Sequence, residues 1–318
     1  MPLPEKALIA RLRAKAGRSR SLVTGIGDDC AVQRVGRDFD LLITTDFSIE
    51  GVHFRREWHS PEVAGRRCLT RGLSDIAAMG GEPATAFLSL ALPRKLPQTW
   101  VDRFFKGLLA TADEFKIVLA GGDTAQSPNG IYADIVVTGY VPRGQAVLRS
   151  GARPGDGIFV TGALGGSAAA LAELFAGRKV RQQDFARHFA PVARVAVGRL
   201  LREKHLATSM IDLSDGLSTD LAHICEESGV GAEIASASIP GARVGRKETL
   251  VSLKQALHGG EDYELLFTAS PRKRVPTRIA GVPVSRIGRI TREKRIVLVD
   301  EGGSRTRLRP QGWEHFKA

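Results

Sequence analysis

The sequence has 318 residues, and 46 Lys or Arg against 34 Asp or Glu give it a formal net charge of +12. With 43% hydrophobic and 25% charged residues, the composition is that of a globular protein, which excludes a disordered, collagen-like or disulfide-stapled chain. This length predicts two domains, because a domain averages about 150 residues. The three cysteines do not have the spacing of metal ligands, and their odd number means that they cannot all form disulfides within the chain. We therefore expect reduced thiols in a cytoplasmic protein.

The sequence shows no pattern typical of a membrane span or a secretory signal. Residues 5–16 are basic and helix-prone, and they lack the continuous apolar run and the cleavage site of a signal peptide, so we predict a surface helix. The longest uncharged stretch, 157–172, has 16 residues. A membrane-spanning helix needs about 18 or more apolar residues.

The first half of the chain alternates between strand-like and helix-like patterns. Ser60 followed by Pro61 is typical of a helix start, and the apolar spacing after residue 99 follows one face of a helix. The predicted strands are 40–46, 84–92, 117–120 and 131–141, and the predicted helices are 61–79 and 99–116. Proline and glycine then interrupt the pattern, so we expect an N-terminal domain over 1–145 and a C-terminal domain over 146–318.

The second half predicts another domain of mixed structure. A glycine-rich turn over 162–166 leads from a strand into a helix, and Gly229 ends a later helix. The predicted helices are 167–176, 192–203 and 214–228, and the predicted strands are 157–161, 208–212, 232–237, 262–268, 284–290 and 295–299, with a hairpin turn at 301–304. The expected fold class of the whole chain is therefore α+β with two domains.

Seven aspartates are candidates for metal binding, because each lies within two residues of glycine, a hydroxyl residue or both. They are Asp28, Asp29, Asp46, Asp75, Asp123, Asp212 and Asp215. Magnesium is bound by a few carboxylates together with substrate phosphates, and glycine lets the backbone approach a phosphate closely. Any one of these motifs alone is also typical of a turn or a helix cap.

Two of these aspartates fit the turn interpretation poorly. Asp75 lies seven residues after Cys68 in a helical pattern, so it shares a face with Cys68, Gly72 and Met79. Asp212 ends an apolar strand. A carboxylate in such semi-buried surroundings is costly unless it is paired or bound to a metal. These two positions therefore favour a metal site.

The common phosphate-binding and hydrolytic motifs are missing from the sequence. It contains no G-x-x-x-x-G-K-[ST] loop, no complete dinucleotide fingerprint and no protein-kinase motif set. It also contains no G-x-S-x-G elbow and no H-E-x-x-H helix motif. A magnesium site of several aspartates, in a less common nucleotide-binding fold, is the class that remains.

Nine motifs in order make the sequence similar to a known family. They are GIGDDCA (25–31), TTD (44–46), EGVHF (50–54), LSDIAAMG (73–80), GGDT (121–124), RSGARPGD (149–156), DLSDGL (212–217), GGEDYEL (259–265) and GWEHF (312–316). This pattern resembles the thiamine-monophosphate kinases, within the superfamily of aminoimidazole-ribonucleotide-synthetase-like enzymes. The resemblance runs from about residue 25 to residue 316.

The resemblance implies a reaction, a fold and a set of site residues. The reaction is ATP-dependent phosphorylation of thiamine phosphate to thiamine diphosphate with several Mg²⁺ ions, by a homodimer whose N-terminal sheets join across the interface. The implied metal ligands are Asp29, Thr44, Thr45, Asp46, Asp75, Asp123, Asp212 and Asp215. The implied ATP contacts are Gly122, Arg149 and Ser214, and the implied thiamine phosphate contacts are His53, Glu261 and Trp313.

The chemistry of these implied residues suits their roles. His53 is suited to bind a phosphate, Trp313 to stack on the cationic thiamine rings, and Glu261 to balance their charge. Arg149 is suited to bind ATP phosphates, and Ser214 opens a predicted helix whose amides favour anions. Without the resemblance, His53 is more simply structural, Glu261 an exposed turn residue and Trp313 a tail anchor.

One position of the sequence departs from the family pattern. A nucleotide-contacting position that is often Tyr in the family is Phe105 here, which keeps a ring and loses the hydroxyl.

No general base or covalent nucleophile is expected, so transfer should be direct and in line, with catalysis by positioning and charge neutralisation.

Two alternatives stay open at this stage. One is another enzyme of the superfamily, such as selenophosphate synthetase or the hydrogenase-maturation dehydratase. The latter type carries a reactive C-terminal cysteine, whereas this sequence ends in Phe-Lys-Ala. The other is a nucleic-acid-binding module, because residues 241–318 hold 17 Lys or Arg against 8 Asp or Glu. We favour a solvated basic face, since no aromatic residues are interleaved to stack on bases.

Overall fold

The computed structural model describes residues 3–17 and 19–316. In the first half of the chain, the helices are α1 (Glu5–Lys15), α2 (Pro61–Ala78) and α3 (Gln98–Phe115). The strands of this half are β1 (Leu22–Thr24), β2 (Ala31–Arg34), β3 (Phe39–Ile49), β4 (Glu82–Pro93), β5 (Val118–Ser127) and β6 (Tyr132–Pro142).

The second half contributes shorter elements. Its helices are α4 (Gly166–Phe175), α5 (Ala186–Phe189), α6 (Val195–Glu203), α7 (Leu217–Ser228) and α8 (Leu253–His258). Its strands are β7 (Gly157–Thr161), β8 (Ser209–Asp212), β9 (Gly231–Ala235), β10 (Arg243–Val244), β11 (Thr249–Leu250), β12 (Leu265–Ala269), β13 (Arg278–Ile279), β14 (Val282–Thr291), β15 (Ile296–Val299) and β16 (Arg305–Arg307).

The N-terminal half forms a six-stranded sheet in the order β1-β2-β3-β6-β4-β5. β4 and β5 are parallel, and the other neighbouring pairs are antiparallel. Helices α2 and α3 pack on one face of this sheet and share a core with it. The two helices cross closely, because a Cβ added to Gly65 would lie 2.0 Å from the carbonyl oxygen of Phe104.

The C-terminal half forms an eight-stranded sheet with β16-β15-β9-β14-β7-β12-β8 in order, and β13 pairs with β14. One face packs against α4, α7 and α8. The other face packs against α6 and the C-terminal end of α2. Helix α2 therefore lies between the two sheets and contributes to both cores.

The local sequence explains why α2 forms and why it is buried. The Ser60 hydroxyl caps the helix by accepting the Val63 N–H at 3.4 Å, and Pro61 occupies the first turn. Of its 18 residues, 14 are buried. The polar side chains on the buried faces of this helix therefore require a partner or a ligand.

Most of the predicted elements are confirmed, and the predicted bounds of β5, α7 and β12 were wrong. β5 was expected to end at residue 120 but continues to Ser127, because it keeps pairing with β4. α7 was expected to begin at residue 214 but begins at Leu217, after Gly216 at φ 114°. β12 was expected from residue 262 and begins at Leu265, because Tyr263 has φ 50° and Glu261 has φ 63°.

Short elements account for the remaining differences. β1, β2, α5, α8, β10, β11, β13 and β16 were not predicted. β9 ends at Ala235 and is followed by a 3₁₀ turn, and α6 begins at Val195, three residues later than expected. The hairpin turn at 301–304 is confirmed, since β15 and β16 pair in antiparallel fashion on either side of it. The domain boundary near residue 145 stays a prediction.

The N-terminal helix is a surface helix, as predicted, since none of the residues of α1 is buried. Its polar side chains hold it in place: Arg13 pairs with Glu227 at 2.5 Å, and Glu5 accepts the backbone N–H of His315 at 2.9 Å. Among the residues that the structure describes, no helix is both long and apolar enough to cross a membrane.

Candidate active site

One side of helix α2 carries four polar residues toward the region between the sheets. Arg67, Arg71, Ser74 and Asp75 follow the spacing that places side chains along one side of a helix. Asp75 and Ser74 point to an acidic region, and Arg67 and Arg71 to a basic one. These two regions make up the candidate site.

The acidic region is a cluster of three carboxylates, Asp29, Asp75 and Asp212, which we call the aspartate cluster. A carboxylate oxygen from each lies within 4.8 Å of those of the other two. Asp29 precedes β2, Asp75 lies in α2, and Asp212 is the last residue of β8. Both halves of the chain therefore contribute to the cluster, and all three residues belong to the predicted metal set.

Hydrogen bonds hold these carboxylates in place. Thr44, another predicted ligand, donates its hydroxyl to Asp75. Ser74 donates to Asp212 Oδ2 at 2.6 Å, which links α2 to β8. Arg149 Nη2 donates to Asp29 Oδ1 at 2.7 Å, whereas Asp29 Oδ2 is buried and has no hydrogen-bond partner in the described structure.

The electrostatics of the cluster favour a bound cation. Burial, reinforced by Asp29, raises the pKa of Asp212 to about 8. Burial and the charges of Asp46 and Asp212 raise the pKa of Asp75 well above its usual range. Carboxylate oxygens, with an unpartnered one on Asp29, form the oxygen-rich donor set that Mg²⁺ prefers.

The basic region surrounds Glu261. Arg67 Nη2 lies 2.8 Å from Glu261 Oε2, and Arg71 Nη1 donates to Glu261 Oε1 at 3.2 Å. Arg71 also reaches the acidic side, with its Nε 3.7 Å from Asp46 Oδ1. Although burial acts to raise the pKa of Glu261, Arg67 and Arg71 lower it to about 2. Glu261 is therefore half-buried and charged, unlike an exposed turn residue.

The loop before β12 connects this basic region to the predicted nucleotide side. The backbone N–H of Glu261 donates to the carbonyl oxygen of Ser214 at 2.7 Å. Asp262 accepts the N–H of Gly165 at 2.6 Å and thereby fixes the start of α4. The GGEDYEL motif thus positions Glu261 through its backbone and its neighbours.

His53 and Trp313 both contact the ring of His315. The ring centroids of His53 and His315 are 5.7 Å apart, and those of Trp313 and His315 are also 5.7 Å apart. His53 Nδ1 accepts the Ile49 N–H at 3.0 Å, which leaves Nε2 as the protonated nitrogen of the neutral ring. Burial, followed by the charge of Arg71, lowers the pKa of His53 to about 3. Trp313 is 57% exposed.

Asp215 belongs to a second cluster, with Asp220 and His223, whose ligand atoms lie within 4.8 Å of one another. Asp220 also accepts the Gly216 N–H at 3.0 Å at the start of α7. Burial raises the pKa of Asp215 to about 6 and lowers the pKa of His223 to about 3. Asp215 is thus grouped with Asp220 and His223 and is not one of the three carboxylates of the aspartate cluster.

Two other predicted metal ligands, Thr45 and Asp123, are exposed. Thr45 is exposed and donates its hydroxyl to Asp134 Oδ1 at 2.6 Å. Asp123 is exposed, and its register partner on β4 is the exposed Ser89. These two metal assignments stay predictions, as do the other site assignments from the resemblance.

The predicted nucleotide contacts differ in how the fold constrains them. At Gly122 an added Cβ would lie 1.9 Å from the carbonyl oxygen of Leu88, so this position requires glycine. Phe105 is half-buried and contacts Phe104 edge-on at 5.8 Å between ring centroids. Asp28, a candidate from sequence, accepts the Arg149 backbone N–H at 3.1 Å.

Sequence reasoning missed Arg67, Arg71, Ser74 and Tyr263. The signal for the two arginines was present, because they precede Asp75 by eight and four residues on the same helix. Ser74 and Tyr263 are recognised only from the contacts between the two halves of the chain.

Comparison with known proteins identifies the family. The family model "AIR synthase related protein, N-terminal domain" matches residues 27–141, and the corresponding C-terminal domain model matches residues 153–301. The thiamine-monophosphate kinase of Salmonella typhimurium is 37% identical, and that of Escherichia coli is 38% identical, each match covering 99% of both chains. The chain belongs to the thiamine-monophosphate kinase family.

Solved structures agree with this family membership. A structure described as AaThiL complexed with AMPPCP and TMP has a TM-score of 0.85 at 32% identity, and the match covers 99% of this chain and 97% of that one. The thiamine-monophosphate kinase of Stenotrophomonas maltophilia has a TM-score of 0.73 at 35% identity, covering 92% and 95%. The HypE–HypF complex, with a TM-score of 0.74 at 18% identity, shares the fold.

Proposed function

We propose that this chain transfers the γ-phosphoryl group of ATP to thiamine phosphate and forms thiamine diphosphate. The observation that carries the proposal is the full-length similarity to thiamine-monophosphate kinases, together with a structural relative described with an ATP analogue and TMP. In the reaction, an oxygen of the acceptor phosphate attacks the γ-phosphorus, the bond to the β-phosphate oxygen breaks, and ADP leaves.

Several Mg²⁺ ions are proposed as cofactors. The aspartate cluster would hold them, with Asp46 and Thr44 beside it and Asp215 as part of a second position. The buried, unpartnered Asp29 Oδ2 and the oxygen-only donors of the cluster support this assignment. Bound Mg²⁺ would neutralise charge on the transferring phosphoryl group.

The remaining residues have roles in binding. Arg149 binds both Asp29 and the proposed ATP phosphates, Ser214 lies in the turn before α7, and Gly122 lets the nucleotide approach the backbone of β5. His53 and Trp313 contact the acceptor. No side chain is assigned as a general base, because the second pKa of a phosphate monoester is about 6 and its oxygen is already deprotonated at neutral pH.

We propose that the protein is a homodimer, joined through the face of the N-terminal sheet that α2 and α3 do not cover. In the described structure, α2 and α3 cover one face of this sheet. The other face carries exposed apolar side chains on neighbouring strands, namely Phe39, Phe47, Phe87, Val118, Tyr132 and Tyr140. Pairing of two such faces would bury them. A cytoplasmic location is proposed from the use of ATP.

The test is formation of thiamine diphosphate from thiamine phosphate and Mg-ATP, measured by chromatography. Wild type is expected to form the product with ADP in a 1:1 ratio. Asp102→Asn, a matched control at an exposed position of α3, should keep full activity, whereas Asp75→Asn should lose it. ATP hydrolysis without transfer, or no turnover by wild type, would refute the proposal.

A further inference from the structure

Arg71 lies at the junction of the acidic and basic regions. Its Nη1 contacts Glu261 Oε1 at 3.2 Å, and its Nε is 3.7 Å from Asp46 Oδ1. On the proposed function, the metal-bound end of ATP lies on the Asp46 side, and thiamine lies on the side of Glu261 and His53. The phosphate of the acceptor has to sit between them, which is where the Arg71 guanidinium is.

The two arginines of the basic region differ in how they are held. Arg67 and Arg71 share the Glu261 carboxylate at 2.8 and 3.2 Å, and the other carboxylate near Arg71, that of Asp46, lies farther away at 3.7 Å. Arg67 is also fixed by the carbonyl oxygen of His188, and its side chain is 4% exposed, compared with 14% for Arg71. Glu261 is therefore occupied as a partner of arginines, and Arg71 is the more accessible cation.

Three buried hydrogen-bond donors in this region have no hydrogen-bond partner in the described structure, and one of them, Arg67 Nη2, is in ion-pair contact with Glu261 Oε2 at 2.8 Å. The other two are Arg71 Nε and Tyr263 Oη. The two side chains are close enough for the charge of Arg71 to act against burial on the pKa of the Tyr263 phenol. Buried donors without acceptors are costly, so such a pair points to a ligand that accepts hydrogen bonds.

We propose that Arg71, assisted by Tyr263, binds the phosphate of thiamine phosphate and so selects the phosphorylated acceptor over thiamine itself. A phosphate dianion supplies acceptor oxygens for both unpartnered donors, and a guanidinium matches its geometry. Binding the acceptor phosphate to a cation of the protein also offsets its repulsion by ATP. This inference rests on the proposed function.

The experiment compares Arg71→Met and Arg71→Lys with wild type. The readouts are KM for thiamine phosphate, KM for ATP, and Ki of thiamine as a competitive inhibitor. Arg71→Met is expected to raise KM for thiamine phosphate by about 10-fold to 100-fold, because a charge-assisted hydrogen bond is lost. Ki of thiamine and KM for ATP should change by less than about 3-fold. Arg71→Lys, which keeps the charge, should have a KM for thiamine phosphate between those of wild type and Arg71→Met.

A matched control is Arg66→Met, on the same helix and paired with Glu114 at 3.0 Å outside the site. It should leave all three constants unchanged. Tyr263→Phe is expected to raise KM for thiamine phosphate by about 3-fold to 10-fold. The same variant should raise the melting temperature of the ligand-free protein, because it removes a buried hydroxyl that has no partner.

The decisive quantity is the ratio of Ki for thiamine to KM for thiamine phosphate. A decrease of this ratio by about 10-fold or more in Arg71→Met corresponds to the loss of about one charge-assisted hydrogen bond and would support the inference. An unchanged ratio would overturn the inference. If Ki for thiamine and KM for thiamine phosphate rise in parallel, Arg71 acts on thiamine through Glu261. If the variant instead requires more free Mg²⁺, Arg71 acts through Asp46. Lack of turnover by wild type would instead refute the proposed function.

Discussion

The two ends of the polar side of α2 create opposite environments about one helical turn apart. At the Asp75 end, buried carboxylates face one another, and the pKa of Asp212 rises to about 8. At the Arg71 end, two guanidinium groups surround one carboxylate, and the pKa of Glu261 falls to about 2. The Asp75 end therefore requires cations from solution, which suits metal-bound ATP. The Arg71 end provides cationic side chains of the protein, which suits an anionic acceptor.

The largest expected effect is at the acidic end. Asp75→Asn should reduce kcat by about 10³-fold or more, because a metal that clamps a phosphoryl group contributes several kcal/mol. Without metal, and at a pH where Asp75 is ionised, the same variant should melt at a higher temperature than wild type, since it removes a carboxylate charge that Asp46 and Asp212 repel. Activity near that of wild type at limiting Mg²⁺ would contradict the role of this cluster.

Trp313→Ala tests the acceptor side without touching the cluster. The lost contact with the cationic thiamine rings should amount to about 1–2 kcal/mol and appear as a higher KM for thiamine phosphate. KM for ATP and the melting temperature should stay close to wild type, because the indole is 57% exposed. An equal rise in both KM values would show that Trp313 supports the tail of the chain without binding the acceptor.

The pH dependence of stability should separate the two ends. A carboxyl group whose folded pKa is raised binds more protons in the folded state, so its contribution falls as pH rises toward that pKa. Between about pH 7 and pH 8, Asp212 should therefore lower the stability of the metal-free protein by about 1 kcal/mol, Asp75 should act in the same direction, and Glu261 should stay ionised.

Histidines do not mask this effect in that pH range. The pKa of His53 is lowered to about 3 by burial first, so its contribution is already complete above the unfolded value of 6.5. The measurement is the melting temperature across the range with and without Mg²⁺. Mg²⁺ should raise it more at pH 8 than at pH 7, and a uniform shift would count against a cation bound to the raised-pKa carboxylates.

The smallest expected effect on kcat is that of His53→Asn. The neutral ring at the basic end is assigned a binding role, so kcat should fall by less than about 10-fold, with the main loss in KM for thiamine phosphate. In wild type, activity should rise with pH through the second ionisation of the acceptor, near pH 6, and then level off. An ionisation that disappears in the variant, with a loss of about 10²-fold in kcat, would restore His53 as a general base.

The sequence predicted most long elements and the acidic end of the site, for a physical reason. Periodicity marked α2 and α3, and the placement of Asp75 and Asp212 among apolar neighbours marked them as unusual carboxylates. Both signals are local, and the fold preserves them. Asp212 belongs to the aspartate cluster and Asp215 to the second one because of the turn before α7, which appeared in the sequence as the first turn of that helix.

The basic end was harder to predict because its partners come from different halves of the chain. Arg67 and Arg71 resemble surface residues of an Arg-rich sequence until α2 is seen to lie between two sheets. The link between Ser74 and Asp212 spans 138 residues, and that between Arg71 and Glu261 spans 190. Short elements such as α8 and β10 were missed because few residues carry their pattern.

The most direct test of the central claim is kcat for thiamine diphosphate formation, measured at saturating Mg-ATP and thiamine phosphate while free Mg²⁺ is varied. If the aspartate cluster binds catalytic metal, wild-type turnover should keep rising with Mg²⁺ beyond the ion carried by ATP, and Asp75→Asn should stay inactive at every concentration. Wild-type turnover that saturates at one Mg²⁺ per ATP, with Asp75→Asn following the same curve, would contradict the account.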